Sequence, residues 1–244
     1  MIQKNEASIE FISENAVLLL WPEVIDNAQH QQILKVRDAI GIALKSILID
    51  CVVSYNSIII YYHFQAITTE SLYSKLDAII QRTLDDMPSP NDLEEALPST
   101  TIDIPVLYNE IAGWDLATVA KRSGLTVDDV VKVHSQSTYR AFALGFTPGF
   151  CYLASLDDAL VLPRKPSPRL KVPTGAVAIA GNQTAVYPSE SPGGWHIIGQ
   201  TPLPMYSLTP LFSSTISVGD NVRFKPISED EFEQLGGTIK QEFV

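Results

Sequence analysis

Between Gly145 and Pro202, proline and glycine interrupt the chain every few residues. Proline fixes its backbone torsion and lacks an N–H, so no long helix can cross such a stretch. From Tyr139 onward what survives between such interruptions is a set of short apolar runs: Val177–Ala180, Ala185–Tyr187, His196–Ile198, Tyr206–Leu208 and Val222–Phe224. Short apolar strands with frequent turn residues predict a small β-barrel or sandwich for the second half.

The first part has a different rhythm. Ala16–Trp21 reads as a buried strand stopped by Pro22. Asp26 can cap a helix whose Ile33, Val36, Ile40 and Leu44 share one face. Two β-branched runs, Ile47–Ser54 and Ser57–Phe64, predict a hairpin, and a helix capped by Thr69 follows with Leu72, Leu76, Ile79 and Leu84 inward. Strand, helix, strand, strand, helix is the order of a split β-α-β sandwich. Residues 87–101 are rich in proline, serine and acids and predict a linker. The expected fold class is therefore α+β. An N-terminal α+β domain (1–88) and a linker (89–101) precede a β-rich domain (102–244) that opens with a helical hairpin.

That hairpin, Leu116–His134, imitates a DNA-binding helix-turn-helix in its apolar spacing and its turn at Gly124. Its second helix opens with Asp128 and Asp129, where a recognition helix would meet phosphates. The chain carries 28 acids against 17 bases, a net charge of −11. Such a surface repels nucleic acid and anionic lipid alike. No apolar run approaches the roughly 20 residues of a membrane span, and Cys51 and Cys151 match no metal spacing. A reducing cytoplasm is the expected compartment, with no metal, nucleic acid or membrane as partner.

Against that acidic background, Arg164, Lys165, Arg169 and Lys171 place four bases within eight residues. Pro163, Pro166, Pro168 and Pro173 hold this ribbon extended. It can bind a carboxylate or phosphate, or tie to backbone carbonyls and acids within the fold. Gly193 and Gly194 sit beside Trp195, so main chain can approach another surface closely. Trp195 reads as a core or interface anchor or as a ligand stack, and Tyr152 and Tyr187 lie on expected strands. His134 ends a helix, where it gains from the helix dipole when charged; it reads as a capping or hydrogen-bonding residue, or as a general acid–base.

The run Gly145-Phe-x-Pro-Gly-Phe-x-Tyr-Leu153 closely resembles the family that holds the B-type subunit of 5-oxoprolinase, KipI and allophanate hydrolase subunit 1. So do the Pro163-Arg and Pro168-Arg segment ending in Val-Pro-x-Gly175, the Tyr187-Pro pair, and Ser191-Pro-Gly-Gly-Trp through Thr201-Pro202. Upstream, Ile104-Pro-Val-x-Tyr108, Asp115-Leu and Gly124-Leu fit the same pattern. The resemblance implies a cyclophilin-like β-barrel for the second domain. It implies work in complex with a C-type subunit, similar to allophanate hydrolase subunit 2, and with an A-type subunit. It also implies ATP used by the complex to open 5-oxoproline to glutamate. Within the family two other roles exist: inhibition of a sensor histidine kinase, as in KipI, and the carboxyltransferase part of a urea carboxylase. From charge and position, His134, Arg164 and Arg169 are the expected catalytic set, with the arginines holding carboxylate or phosphate and His134 moving a proton. Tyr152, Gln183, Tyr187, Ser191, Gly193, Gly194, Trp195 and Gln200 are the expected substrate or partner contacts. Gln200 stands where the family usually has arginine, so a charge is missing there.

Overall fold

Alternating apolar residues on two hairpins build the first layer. In this computed structural model, which describes residues 7–86, 101–209, 211 and 213–239, β1 (Ser8–Ser13) and β2 (Ala16–Leu20) form one hairpin. β3 (Leu48–Val53) and β4 (Ser57–Tyr62) form the other. They join as an antiparallel sheet in the order β1-β2-β4-β3. Val17, Leu19, Ile58, Ile60 and Tyr62 are buried, at the two-residue spacing that one face of a strand requires.

Helices α1 (Asn27–Ala43) and α2 (Thr69–Asp85) contribute Ile33, Val36 and Ile40, and Leu72, Leu76 and Ile80, to the buried set. Each such side chain contributes about 1.5–3 kcal/mol on burial. Asp26 caps α1 as expected, accepting from the Gln29 N–H at 2.7 Å. The cap of α2 is Thr68 rather than Thr69. Strand β1 was not anticipated, because its polar flanks hide a short alternation of Ile9 and Phe11. The contact pattern divides the chain into units Met1–Pro98 and Ser99–Val244. Most of the expected linker, 89–100, lies outside the described residues.

The second unit is built on a closed seven-stranded barrel. Its strands are β5 (Thr101–Leu107), β6 (Tyr139–Leu144), β7 (Cys151–Ala154), β9 (Ala176–Ala180), β10 (Gln183–Val186), β12 (His196–Gln200) and β15 (Asn221–Ile227). They run β10-β7-β6-β15-β5-β12-β9 and back to β10. Only β5 and β15 pair in parallel, along their whole lengths. Closure leaves no free edge around this sheet. Two short antiparallel ladders lie outside it: β8 (Arg169–Val172) pairs with β11 (Ser191–Gly193), and β13 (Tyr206–Ser207) pairs with β14 (Ser213–Ser214).

Along β9, Val177 and Ile179 enter the main core with Ile104, Val106, Leu153 and Phe224. Ala176, Ala178 and Ala180 face the other way, as alternation demands. The helical hairpin is α3 (Leu116–Ser123) and α4 (Val127–Gln136), turned by Gly124 at φ 68°. Leu116, Val119 and Val130 bury it against the barrel core. Thr126 and Asp129 close a reciprocal cap on α4, so those acids serve the hairpin's own helix. A last helix, α5 (Glu229–Gln234), buries Phe232. Among the described residues no helix is long and apolar enough to cross a membrane.

Candidate functional site

Small side chains on the outer face of the barrel wall create room for large ones. Ala176, Ala178 and Ala180 of β9 and Ala185 of β10 pack with Phe150, Tyr187, Trp195 and Val172 as a second apolar cluster, joined by Trp114 and Tyr152. The aromatics meet mostly edge to face: Phe150 lies 4.9 Å from Tyr152, 5.5 Å from Tyr187 and 5.8 Å from Trp195, by ring centroids. Aromatic pairs favour this geometry because ring edges are positive and faces negative. A Cβ on Gly193 would collide with the Tyr187 hydroxyl, so glycine is required there. Gly194 is under no such constraint: a Cβ would meet Pro168 at an ordinary 3.6 Å.

The basic ribbon lies across this cluster, and Asp115 organises it. Asp115 is buried at 3% exposure. Lys165 Nζ donates to its Oδ1 at 2.7 Å. Arg169 Nη1 donates to Oδ2 at 2.8 Å and Nη2 to Oδ1 at 3.0 Å. The Ile197 N–H also donates to Oδ2, at 2.9 Å. Burial pushes the carboxyl pKa up, but hydrogen bonds from Arg169, Lys165 and Ile197 outweigh it and leave the value below the ordinary aspartate one. Both guanidinium groups of the ribbon also lie over tryptophans, Arg169 at 5.4 Å from the Trp114 ring centre and Arg164 at 5.9 Å from that of Trp195. Arg164 is exposed and, among the described residues, has no carboxylate partner. Burial raises the Tyr187 hydroxyl to about 12, against a backbone hydrogen bond from Trp195 and the fields of Arg164 and Arg169.

Two further bonds fix the ribbon. His196 Nε2–H donates to the Pro163 carbonyl at 2.9 Å, and the Lys165 N–H donates to the Gly194 carbonyl at 2.8 Å. Ser191 Oγ is buried without a hydrogen-bond partner. The structure therefore gathers Arg164, Arg169, Tyr152, Tyr187, Gly193, Gly194 and Trp195 around one aromatic platform. Asp115 and His196 complete it, and neither was expected there from sequence.

His134 sits elsewhere, and the expectation of a helix-end cation needs correcting. It is fully buried, stacked on Phe224 at 4.6 Å between ring centres. The Thr184 hydroxyl spends its proton on the Ala178 carbonyl at 3.2 Å. It must therefore accept from His134 Nε2–H, at 2.9 Å, leaving Nδ1 to accept from Tyr108 Oη–H at 2.7 Å. Burial pushes the imidazole pKa down to about 3. The ring is thus a neutral core member with both nitrogens occupied, and the helix dipole is outweighed by desolvation. Gln200 is also buried, at the far end of β12, lining a cavity of about 290 Å³ with Thr174, Thr201 and Phe232. Gln183 is half-buried at the start of β10. No group of three metal-ligating side chains occurs among the described residues.

Similarity to known proteins follows the same architecture. The family described as "Carboxyltransferase domain, subdomain C and D" matches residues 7–211. The chain belongs to this family. It is 34% identical over 193 residues to the B subunit of 5-oxoprolinase from Bacillus subtilis, covering 75% of this chain and 78% of that protein. It is 47% identical over 131 residues to the corresponding B subunit from Escherichia coli O157:H7, covering 54% and 60%. The matched part is thus under two thirds of the latter's length. Among solved structures, TTHA0988 superposes with a TM-score of 0.72 at 34% identity. The match covers 87% of this chain but only 39% of that one, so the relative carries a large additional region. The family resemblance read from the central motif run is thereby established.

Proposed function

We propose that this chain is the B-type subunit of an ATP-dependent 5-oxoprolinase, opening 5-oxoproline to glutamate together with C-type and A-type subunits. The observation that carries the reading is Arg164, a cation over Trp195 with no carboxylate partner among the described residues, beside a pair of cations already neutralised in part by Asp115. Lys165, Arg169 and Asp115 together leave one positive charge, and Arg164 adds another. A small carboxylate fits that surplus, and an arginine can grip it through two parallel hydrogen bonds. Tyr152, partly exposed at the margin of the cluster, offers apolar area for a five-membered ring beside it.

The same accounting argues against ATP at this cluster. A triphosphate brings about four negative charges and a magnesium ion that needs oxygen ligands. Here the one buried carboxylate is fully engaged with Lys165, Arg169 and Ile197. ATP is therefore assigned to the complex and not to this cluster. His134, held neutral and doubly hydrogen-bonded, is a structural member of the barrel, and the proton-transfer role passes to no other residue here. The names of the Bacillus and Escherichia relatives support the substrate assignment.

The test is co-expression with the neighbouring C-type and A-type subunits, purification of the complex, and measurement of ADP release with and without 5-oxoproline. We expect release that depends on 5-oxoproline and on every component. A complex that forms yet hydrolyses no ATP in response to 5-oxoproline would overturn the reading.

A further inference from the structure

Asp115 occupies the N-cap position of α3, yet its side chain makes no capping hydrogen bond to that helix. Aspartate is favoured at this position because its carboxylate accepts from the exposed N–H groups of the first turn. Here the carboxylate is directed away, to Lys165, Arg169 and the Ile197 N–H. Asp115 also donates its own N–H to the Ile197 carbonyl at 2.8 Å, so two hydrogen bonds fasten it to β12. A residue that forgoes its local role, in a chain whose other caps at Asp26, Thr68, Thr126 and Ser228 are all made, is serving something outside its own helix.

We propose that Asp115 is a positioning residue that acts through Arg164. It pulls the side chains of Lys165 and Arg169 down against the barrel wall on both sides of the Pro166–Pro168 segment. With those two cations bound inward, Arg164 is the cation of this cluster left to face a ligand. The fork of Arg169 matters because both its terminal nitrogens, Nη1 and Nη2, are used, which fixes the plane of the guanidinium over Trp114 at 5.4 Å. His196 and Gly194 hold the backbone on either side of Arg164. The pairing of β8 with β11 holds the backbone at Arg169, and between these ties the Lys165 and Arg169 side chains are drawn to Asp115.

This inference rests on the preceding reading of the cluster as the carboxylate site, and a double-mutant cycle separates the two. In the co-purified complex, KM for 5-oxoproline and kcat are measured for the unsubstituted chain, Arg164→Gln, Asp115→Asn and the double variant. The Asp115 side chain makes no capping bond to α3, so Asp115→Asn removes the charge without removing a helix cap. We expect Asp115→Asn to raise KM about tenfold, with kcat changed by less than about threefold. The double variant should be no worse than Arg164→Gln alone, because a residue acting through Arg164 has nothing left to act on. Arg169→Lys keeps the charge and loses the fork; it should show the same lack of additivity if Asp115→Asn fails to fold. Fully additive effects on KM, or an unchanged KM in both Asp115→Asn and Arg169→Lys, would overturn the positioning role. An unaltered KM in Arg164→Gln would instead overturn the site reading itself.

Discussion

Acid should unfold the barrel through one buried ring. His134 has a folded-state pKa of about 3, against 6.5 for an unperturbed histidine. Between those values the unfolded chain binds a proton at this position that the folded chain excludes. Stability therefore rises with pH across this window and falls as pH drops through it, by about 1.4 kcal/mol per pH unit. From pH 7 to pH 4.5 the loss from this residue is about 2.5 kcal/mol, a large share of the roughly 5–15 kcal/mol typical of a domain. The assay is equilibrium urea unfolding at pH 7, 5.5 and 4.5, followed by the fluorescence of Trp114 and Trp195 in a Trp21→Phe background. His134→Gln is the control, since glutamine can still donate and accept but cannot titrate. It should be less stable than the parent at pH 7 and should lose about one proton's worth of the pH slope above pH 4.5. If the variant and the parent show the same slope, His134 is not buried neutral and the assignment of its hydrogen bonds fails.

Four other outcomes are expected. Gly193→Ala should lower barrel stability by about 1–3 kcal/mol through collision with the Tyr187 hydroxyl, whereas Gly194→Ala should leave the thermal midpoint within about a degree or two; equal effects would contradict the packing described. Asp115 has a depressed folded-state pKa, so its contribution is complete above the unfolded aspartate value of about 3.9 and is lost as pH falls below it. Asp115→Asn should flatten the stability curve in that lower range only, separable from the His134 effect by the same urea series. Thr126→Ala removes the reciprocal cap of α4 and should cost about 1 kcal/mol, read as a shift in the urea midpoint. The Cys51 thiol is raised to about 11, mainly by burial, so its reaction with a disulfide reagent at pH 8 should be roughly a hundredfold slower than that of a free thiol.

The architecture was largely legible because it rests on local signals. Proline and glycine spacing marked the barrel half, and the runs read at Val177–Ala180 and His196–Ile198 fall on β9 and β12. Gly124 and Thr126 marked the hairpin turn, and both occupy the positions expected of them. The parallel pairing of β5 with β15 left no trace, since its partners are over a hundred residues apart and each strand alone looks ordinary. At the site, sequence drew attention to the ribbon and to Trp195 but missed what anchors them. An aspartate before a helix reads as a cap, and nothing local reveals that Asp115 turns to Lys165 and Arg169, 50 and 54 residues away. His134 misled for the same reason: its helix-end position was visible, while the burial that decides its charge comes from Phe224, Thr184 and Tyr108, all distant in the chain.

The most direct test of the central claim is the KM for 5-oxoproline of the complex carrying Arg164→Gln, compared with Arg164→Lys. If the exposed guanidinium over Trp195 receives the substrate carboxylate, glutamine should raise KM at least about tenfold, and lysine, keeping the charge but not the paired hydrogen bonds, should fall between. A KM that stays at the parent value in both variants would place the substrate somewhere other than this platform.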